Sequence, residues 1–177
     1  LQPAKEELEA EELWMLVELL VNSGGIEKLR FTGGEPLLSP KFDLLFSRAM
    51  ELDFLDVSLT TNGQFIPKKA EILLKSGLKR INISLDTLDP VRFKRITRIG
   101  DLNKVLRGID AAIDAGFDRI KLNAVILKNR NHDEITKLVQ FAVDRSIDIS
   151  FIEEMPLGDI DDHERKEAYY SSDDVKT

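Results

Sequence analysis

Apolar positions along the chain switch repeatedly between two periods. Residues 6–23 set Leu8, Leu13, Leu16, Val17, Leu20 and Val21 on one helical stripe, closed by Gly24 and Gly25. Residues 28–32 then alternate, with Leu29 and Phe31 on one side and Lys28, Arg30 and Thr32 on the other. The same switch recurs to the end of the periodic region. Helical periodicity predicts helices over 42–52, 68–76, 90–95, 102–115 and 133–145, with Gly77 and Gly116 as stops. Period-2 segments predict strands over 55–60, 80–85, 119–127 and 148–153.

Strands alternating with helices imply right-handed βαβ units and a parallel sheet. Two architectures fit, an open doubly wound sheet and an arc of a β/α barrel. The strand faces choose between them. Asn82, Ser84 and Asp86 oppose Ile81, Ile83 and Leu85; Lys121 and Asn123 oppose Ile120 and Leu122; Ser58 and Thr60 oppose Val57 and Leu59. A sheet covered by helices on both sides would be apolar on both. One polar face in strand after strand predicts an α/β fold that is a partial, open β/α barrel of about five parallel strands, whose lumen holds a polar ligand. The barrel core is expected over residues 1–158. Residues 159–177 are polar and acidic and read as a flexible tail or the start of a further region.

Composition narrows the function. The chain has 177 residues, 42% hydrophobic and 32% charged, which suits one soluble domain. Its net charge of −7 argues against a nucleic-acid binder, although not against a local basic pocket for one nucleotide. No apolar run reaches the roughly 18 residues of a membrane span and no signal peptide is visible, so the expected address is cytoplasmic. The sequence contains no cysteine, which rules out disulfides and thiolate-held metal within it. His132 and His163 fall in a helix start and in the tail, and neither reads as a ligand or base, so no metal site is expected. The chain opens with Leu1 rather than Met, which suggests a piece of something longer.

Parallel β/α folds place their chemistry at the C-terminal ends of strands. Thr32-Gly33-Gly34-Glu35-Pro36, Thr60-Thr61-Asn62-Gly63, Ser84-Leu85-Asp86 and Glu153-Glu154-Met155-Pro156 all fall there, with Lys121-Leu122-Asn123 inside the fourth strand. Gly33 and Gly34 let a ligand approach the backbone, and Glu35 is placed to accept hydrogen bonds from a bound ammonium. Each segment has a plainer reading: Thr-Asn-Gly as a turn, Ser84 or Asp86 as a helix cap, Met155 as core filler. Lys28, Arg30 and Lys121 on an inward face are costly unless they meet an anion. That anion is either a buried carboxylate, such as Asp86 or Glu153, or a ligand; three converging cations suit a triphosphate.

These motifs resemble the GTP 3′,8-cyclase family of molybdenum-cofactor biosynthesis, within the radical S-adenosylmethionine (radical SAM) superfamily. The resemblance rests on residues 29–38, Thr60-Thr61-Asn62-Gly63, Asn82 to Leu88, Lys121-Leu122-Asn123 and residues 151–158, in order over most of residues 6–158. It implies an open β/α barrel, S-adenosylmethionine as cofactor and two 4Fe-4S clusters held by cysteine trios. It also implies a reaction in which a 5′-deoxyadenosyl radical takes the ribose C3′ hydrogen of GTP, and the substrate radical then adds to guanine C8. By resemblance Gly33, Gly34, Glu35, Ser84 and Met155 are S-adenosylmethionine-binding, and Lys28, Arg30, Thr60 and Lys121 bind GTP. A homodimer and a reductant partner are implied for the full-length enzyme.

Two departures stand out. Without cysteine the chain lacks the ligands of both clusters, so it reads as the middle of such an enzyme and is expected to be inactive alone. Ser150 stands where many relatives carry an arginine. Two other functions fit the same residues: a non-catalytic nucleotide-binding module, and a radical enzyme acting on another substrate such as a peptide.

Overall fold

Five strands pair in parallel in the order β1 (Lys28–Phe31), β2 (Asp56–Thr61), β3 (Arg80–Ser84), β4 (Arg119–Ile126) and β5 (Asp148–Glu153). The computed structural model describes residues 7–155 and 165–176. Strand order equal to chain order decides between the two architectures. Every crossover runs the same way across the sheet, so the right-handed rule sends each helix to the same face, and no topological switch point arises. The result is the open arc of a β/α barrel.

The crossovers are α2 (Phe42–Glu51), α3 (Ile66–Lys75), α4 (Pro90–Thr97) followed by α5 (Leu102–Ala115), and α6 (Ile135–Asp144); α1 (Ala10–Gly24) precedes β1. Their apolar stripes meet the apolar strand face. Phe31, Leu59, Ile81 and Ile120 stand in one register row. Phe42 and Phe46 of α2, Leu73 of α3, Ile109 of α5 and Leu138 of α6 pack against that layer. Phe31 meets the rings of Phe42 and Phe46 edge-on at 5.4 and 5.8 Å. Each fully buried Leu or Ile here contributes about 1.5–3 kcal/mol.

Three local outcomes differ from the pattern in the sequence. In α1 the buried residue is Trp14, while Leu16 and Leu20 of the expected stripe are exposed. The helix touches the body along a narrow line, where Arg48 of α2 lies 5.8 Å from the Trp14 ring centroid and pairs with Glu11. Neither Ser84 nor Asp86 caps the following helix; the carboxylate of Asp89 does, accepting from the N–H groups of Val91 and Arg92 at 2.8 Å. Within the acidic segment 159–177, the described part forms α7 (Arg165–Ala168) and α8 (Ser172–Lys176) and returns to the sheet. Ala168 is buried, its carbonyl accepts from Lys128 N–H at 2.8 Å, and Tyr169 bridges Leu127.

Candidate functional site

Cross-strand register collects the polar side chains on one face. In a parallel pair, residues opposite one another point the same way, so Lys28 and Asp56 share a row; so do Arg30, Ser58, Arg80 and Arg119; so do Thr60, Asn82, Lys121 and Asp148; and so do Ser84, Asn123 and Ser150. Arg30 and Lys121 are therefore on the same face, three strands apart, with Cα positions separated by about 16 Å from strand spacing. Among the described residues the side chains of Lys28, Arg30, Arg119 and Lys121 make no hydrogen bond or ion pair. The ladder of this face holds five cations, Lys28, Arg30, Arg80, Arg119 and Lys121, against two carboxylates, Asp56 and Asp148. It is positive within a chain of net charge −7. Arg80 and Arg119 were not singled out by sequence, yet each lies two residues before a polar lumen position, Asn82 and Lys121.

The carboxylates offered as internal partners of these cations are engaged elsewhere. Asp86 accepts from Val125 N–H at 2.8 Å, and burial, opposed by that bond, raises its carboxyl above the usual aspartate range. Glu153 pairs in register with core residue Ile126 and so points to the opposite face. It accepts from Ser172 N–H at 2.6 Å and from the Tyr169 hydroxyl at 2.7 Å, and these bonds, the Ser172 contacts first, hold its carboxyl down at about 2. The alternation of the fifth strand decides this, because Ile152 and Glu154 take the other side.

Above the cation rows, the strand ends form a rim. Gly33 has φ +135, open only to glycine, and lets the chain turn sharply after β1. Gly34 is not required by packing, since a side chain there would meet nothing within 4 Å. Glu35 then turns inward. Its Oε1 accepts from the Thr61 hydroxyl at 2.7 Å and from Leu37 N–H at 3.2 Å, and its Oε2 accepts from Asn62 N–H at 2.7 Å. The carboxylate expected to meet a ligand ammonium thus first ties the glycine turn to the end of β2. Two carboxylate oxygens offer about four acceptor sites, so one is left.

Behind this turn lies a cavity of about 320 Å³ lined by Leu38, Asn62, Gln64, Phe65, Ser84, Asp86, Phe93, Thr97, Ile99 and Gly100. Its wall on the β3 side is held by residues that sequence reading missed. Asn131, fully buried, donates to the carbonyls of Asp86 and Val125 at 2.7 and 2.8 Å and accepts from Leu127 N–H at 2.8 Å. Glu134, 3% exposed, accepts from the Thr87 hydroxyl at 2.6 Å, from Leu88 N–H at 2.9 Å and from Arg92 at 3.0 Å. The only signal was an Asn and a Glu just past a strand end, which reads as an ordinary helix start. Ser84 and Met155 are exposed at the rim and Thr60 is half-buried. Among the described residues no group of three acidic or imidazole side chains gathers to hold a metal, and no helix is long and apolar enough to cross a membrane. His163 and residues 156–158 lie outside the described residues.

An open parallel arc with a polar lumen and a Gly-Gly-Glu-Pro rim defines a class. The profile of the radical SAM superfamily matches residues 1–142, and the chain belongs to that superfamily. Among curated proteins it is 53% identical, over 98% of its length, to the GTP 3′,8-cyclase of Pseudomonas entomophila, covering 52% of that protein. It is likewise 53% identical, over 98% of its length, to GTP 3′,8-cyclase 1 of Pseudomonas aeruginosa, covering 53% of it. The chain thus spans about half the length of the curated relatives it matches. Among solved structures, Streptococcus suis SuiB bound to S-adenosylmethionine superposes with a TM-score of 0.68 at 23% identity, covering 88% of this chain and 36% of that one. Native anSMEcpe with bound AdoMet gives 0.62 at 20%, covering 84% and 43%. These two likenesses bear on the fold.

Proposed function

We propose that this chain is the central barrel arc of a GTP 3′,8-cyclase of molybdenum-cofactor biosynthesis, a radical SAM lyase that converts GTP to 3′,8-cyclo-7,8-dihydro-GTP. The observation that carries the reading is the set of unpaired cations, Lys28, Arg30 and Lys121, on one strand face of an otherwise acidic chain. Lys28 and Arg30 are exposed and Lys121 is half-buried, so all three are open to an incoming anion, and a guanidinium or ammonium uncommitted to an internal carboxylate is free to pair with phosphate. The spacing of Arg30 and Lys121 suits a polyphosphate held between extended side chains, with Thr60 as a hydroxyl donor in the Lys121 row. The 53% identity to two GTP 3′,8-cyclases supports the same substrate.

The cavity at the rim suits S-adenosylmethionine. Gly33, Gly34 and the remaining acceptor site of Glu35 would take the aminoacyl end, and Ser84 and Met155 the nucleoside side. Of these residues Ser84 lines the rim cavity, whose volume of about 320 Å³ accommodates a nucleoside-sized group, while Gly33, Gly34, Glu35 and Met155 lie outside its lining. When bound, the cofactor supplies the 5′-deoxyadenosyl group that abstracts hydrogen. The residues of this chain orient it and exclude water. Iron–sulfur clusters are a different matter: their ligands are cysteine thiolates, the sequence has none, and no step of the reaction is assigned to a cluster on these residues. Catalysis then belongs to the longer protein, with its reductant partner and its oligomeric state, while the chain itself binds.

Calorimetric titration of the chain with GTP and with guanosine tests the reading. GTP is expected to bind more tightly, by at least about tenfold for two or three charge-assisted phosphate contacts, and Lys121→Ala to erase most of the difference. Equal binding of the two ligands, unaltered by Lys121→Ala, retires the triphosphate assignment.

A further inference from the structure

Asp56 is the one carboxylate that stands among the lower cations of the polar face, and it has three claimants. Lys28 is its direct register partner on β1. Arg30 and Arg80 both sit in the next row, on either side of Ser58. Geometry alone favours Lys28, whose strand position is directly opposite. The structure gives the carboxylate to Arg80, whose Nη2 lies 2.5 Å from Asp56 Oδ2, while Lys28 and Arg30 pair with nothing among the described residues. The small, buried Ser58 between them leaves the guanidinium room to cross back one row. This arrangement is costly for Arg80, because its Nε is buried without any hydrogen-bond partner among the described residues. A buried donor without a partner costs stability, so this is not the pairing that hydrogen bonding alone would select.

We infer that Arg80 is a positioning residue of the anion site: by occupying Asp56 it keeps Lys28 and Arg30 uncommitted and available to a polyphosphate. The inference rests on the triphosphate reading above. Arg80 itself faces the carboxylate rather than the ligand. Without it, Asp56 passes to Lys28 or Arg30, and the site loses one phosphate-binding cation to an internal pair.

Four proteins test this: the unmodified chain, Arg80→Gln, Asp56→Asn and the double variant, each checked for folding by circular dichroism. Two readouts are taken. In GTP calorimetry, Arg80→Gln is expected to weaken binding about tenfold, the scale of one charge-assisted contact, with guanosine unaffected. The double variant is expected to recover the affinity of the unmodified chain, and Asp56→Asn to match or exceed it. In NMR of the lysine ammonium and arginine guanidinium groups without any nucleotide, the Lys28 or the Arg30 signal is expected to shift in Arg80→Gln and to return in the double variant. A double variant as weak for GTP as Arg80→Gln means that Arg80 contacts the phosphates or merely supports the fold, and overturns the inference. Lys28 and Arg30 signals that both stay unmoved in Arg80→Gln overturn it as well, with the triphosphate reading untouched. Equal binding of GTP and guanosine by the unmodified chain is the separate result that removes the triphosphate reading and the functional half of this inference with it.

Discussion

Gly108 on α5 lies against the backbone of Gly63 at the end of β2, so closely that a Cβ built at Gly108 would stand 2.0 Å from the Gly63 carbonyl oxygen. Gly63 in turn has φ +80, and a Cβ there would meet Ile83 at 2.9 Å. The rim turn that carries Asn62 is thus clamped between a helix and a strand, and only hydrogen fits at both contacts. Gly108→Ala is expected to destabilise the fold by about 1–3 kcal/mol and to displace residues 61–64. Chemical denaturation measures the first effect, and amide shifts of Asn62 and Gln64 report the second.

Glu35 offers a sharper substitution than truncation. Its Oε1 and Oε2 both face backbone donors, from Leu37 and Asn62 respectively. In Glu35→Gln the amide nitrogen must oppose an N–H whichever way it is turned. A loss of about 1–3 kcal/mol follows from the unsatisfied donor, together with weaker S-adenosylmethionine binding. Denaturant melts and ligand titration of the variant check the pair of effects; a variant as stable as the parent contradicts the geometry.

Burial raises the Asp86 carboxyl above its ordinary value of 3.8. Below 3.8 the group is protonated in both folded and unfolded chains, and its contribution to stability is fully present. As pH rises through the raised folded value, the folded chain must bury a charge and that contribution is lost. Stability is expected to fall over this window in the parent and to fall less in Asp86→Asn. Melting temperatures across the acid range give the comparison.

Glu153 has the opposite sign. Its carboxyl is lowered from 4.5 to about 2 by Ser172 and Tyr169, so its contribution is present above 4.5 and is lost as pH falls toward 2. Residues 165–176 are expected to open from the sheet in that interval, and in Glu153→Gln to open already at neutral pH. Hydrogen exchange at Ser172 and Lys128, whose N–H groups donate to Glu153 and to the Ala168 carbonyl, reads the change.

Most of the frame was legible because it rests on local rules. The 2.0 and 3.6 periods of hydrophobic positions placed all five strands and the crossover helices within a few residues of their observed ends. The α1 stripe was misread because period alone says which residues share a face, not which of them another element covers: Trp14 is buried against Arg48, and Leu16 and Leu20 stay exposed. The rim motifs were visible as residue types, but Asn131 and Glu134 looked like an ordinary helix start. Their value lies in reaching back over more than forty residues to Asp86, Thr87 and Leu88.

By itself the sequence determined which residues share a strand face, since alternation along a strand is a property of the backbone and needs no partner. The tertiary structure alone decided which charges meet across strands. Register and strand order set whether Asp56 answers Lys28, Arg30 or Arg80, and the return of residues 165–176 sets which donors meet Glu153, because these distances depend on how separate segments align rather than on how each one folds.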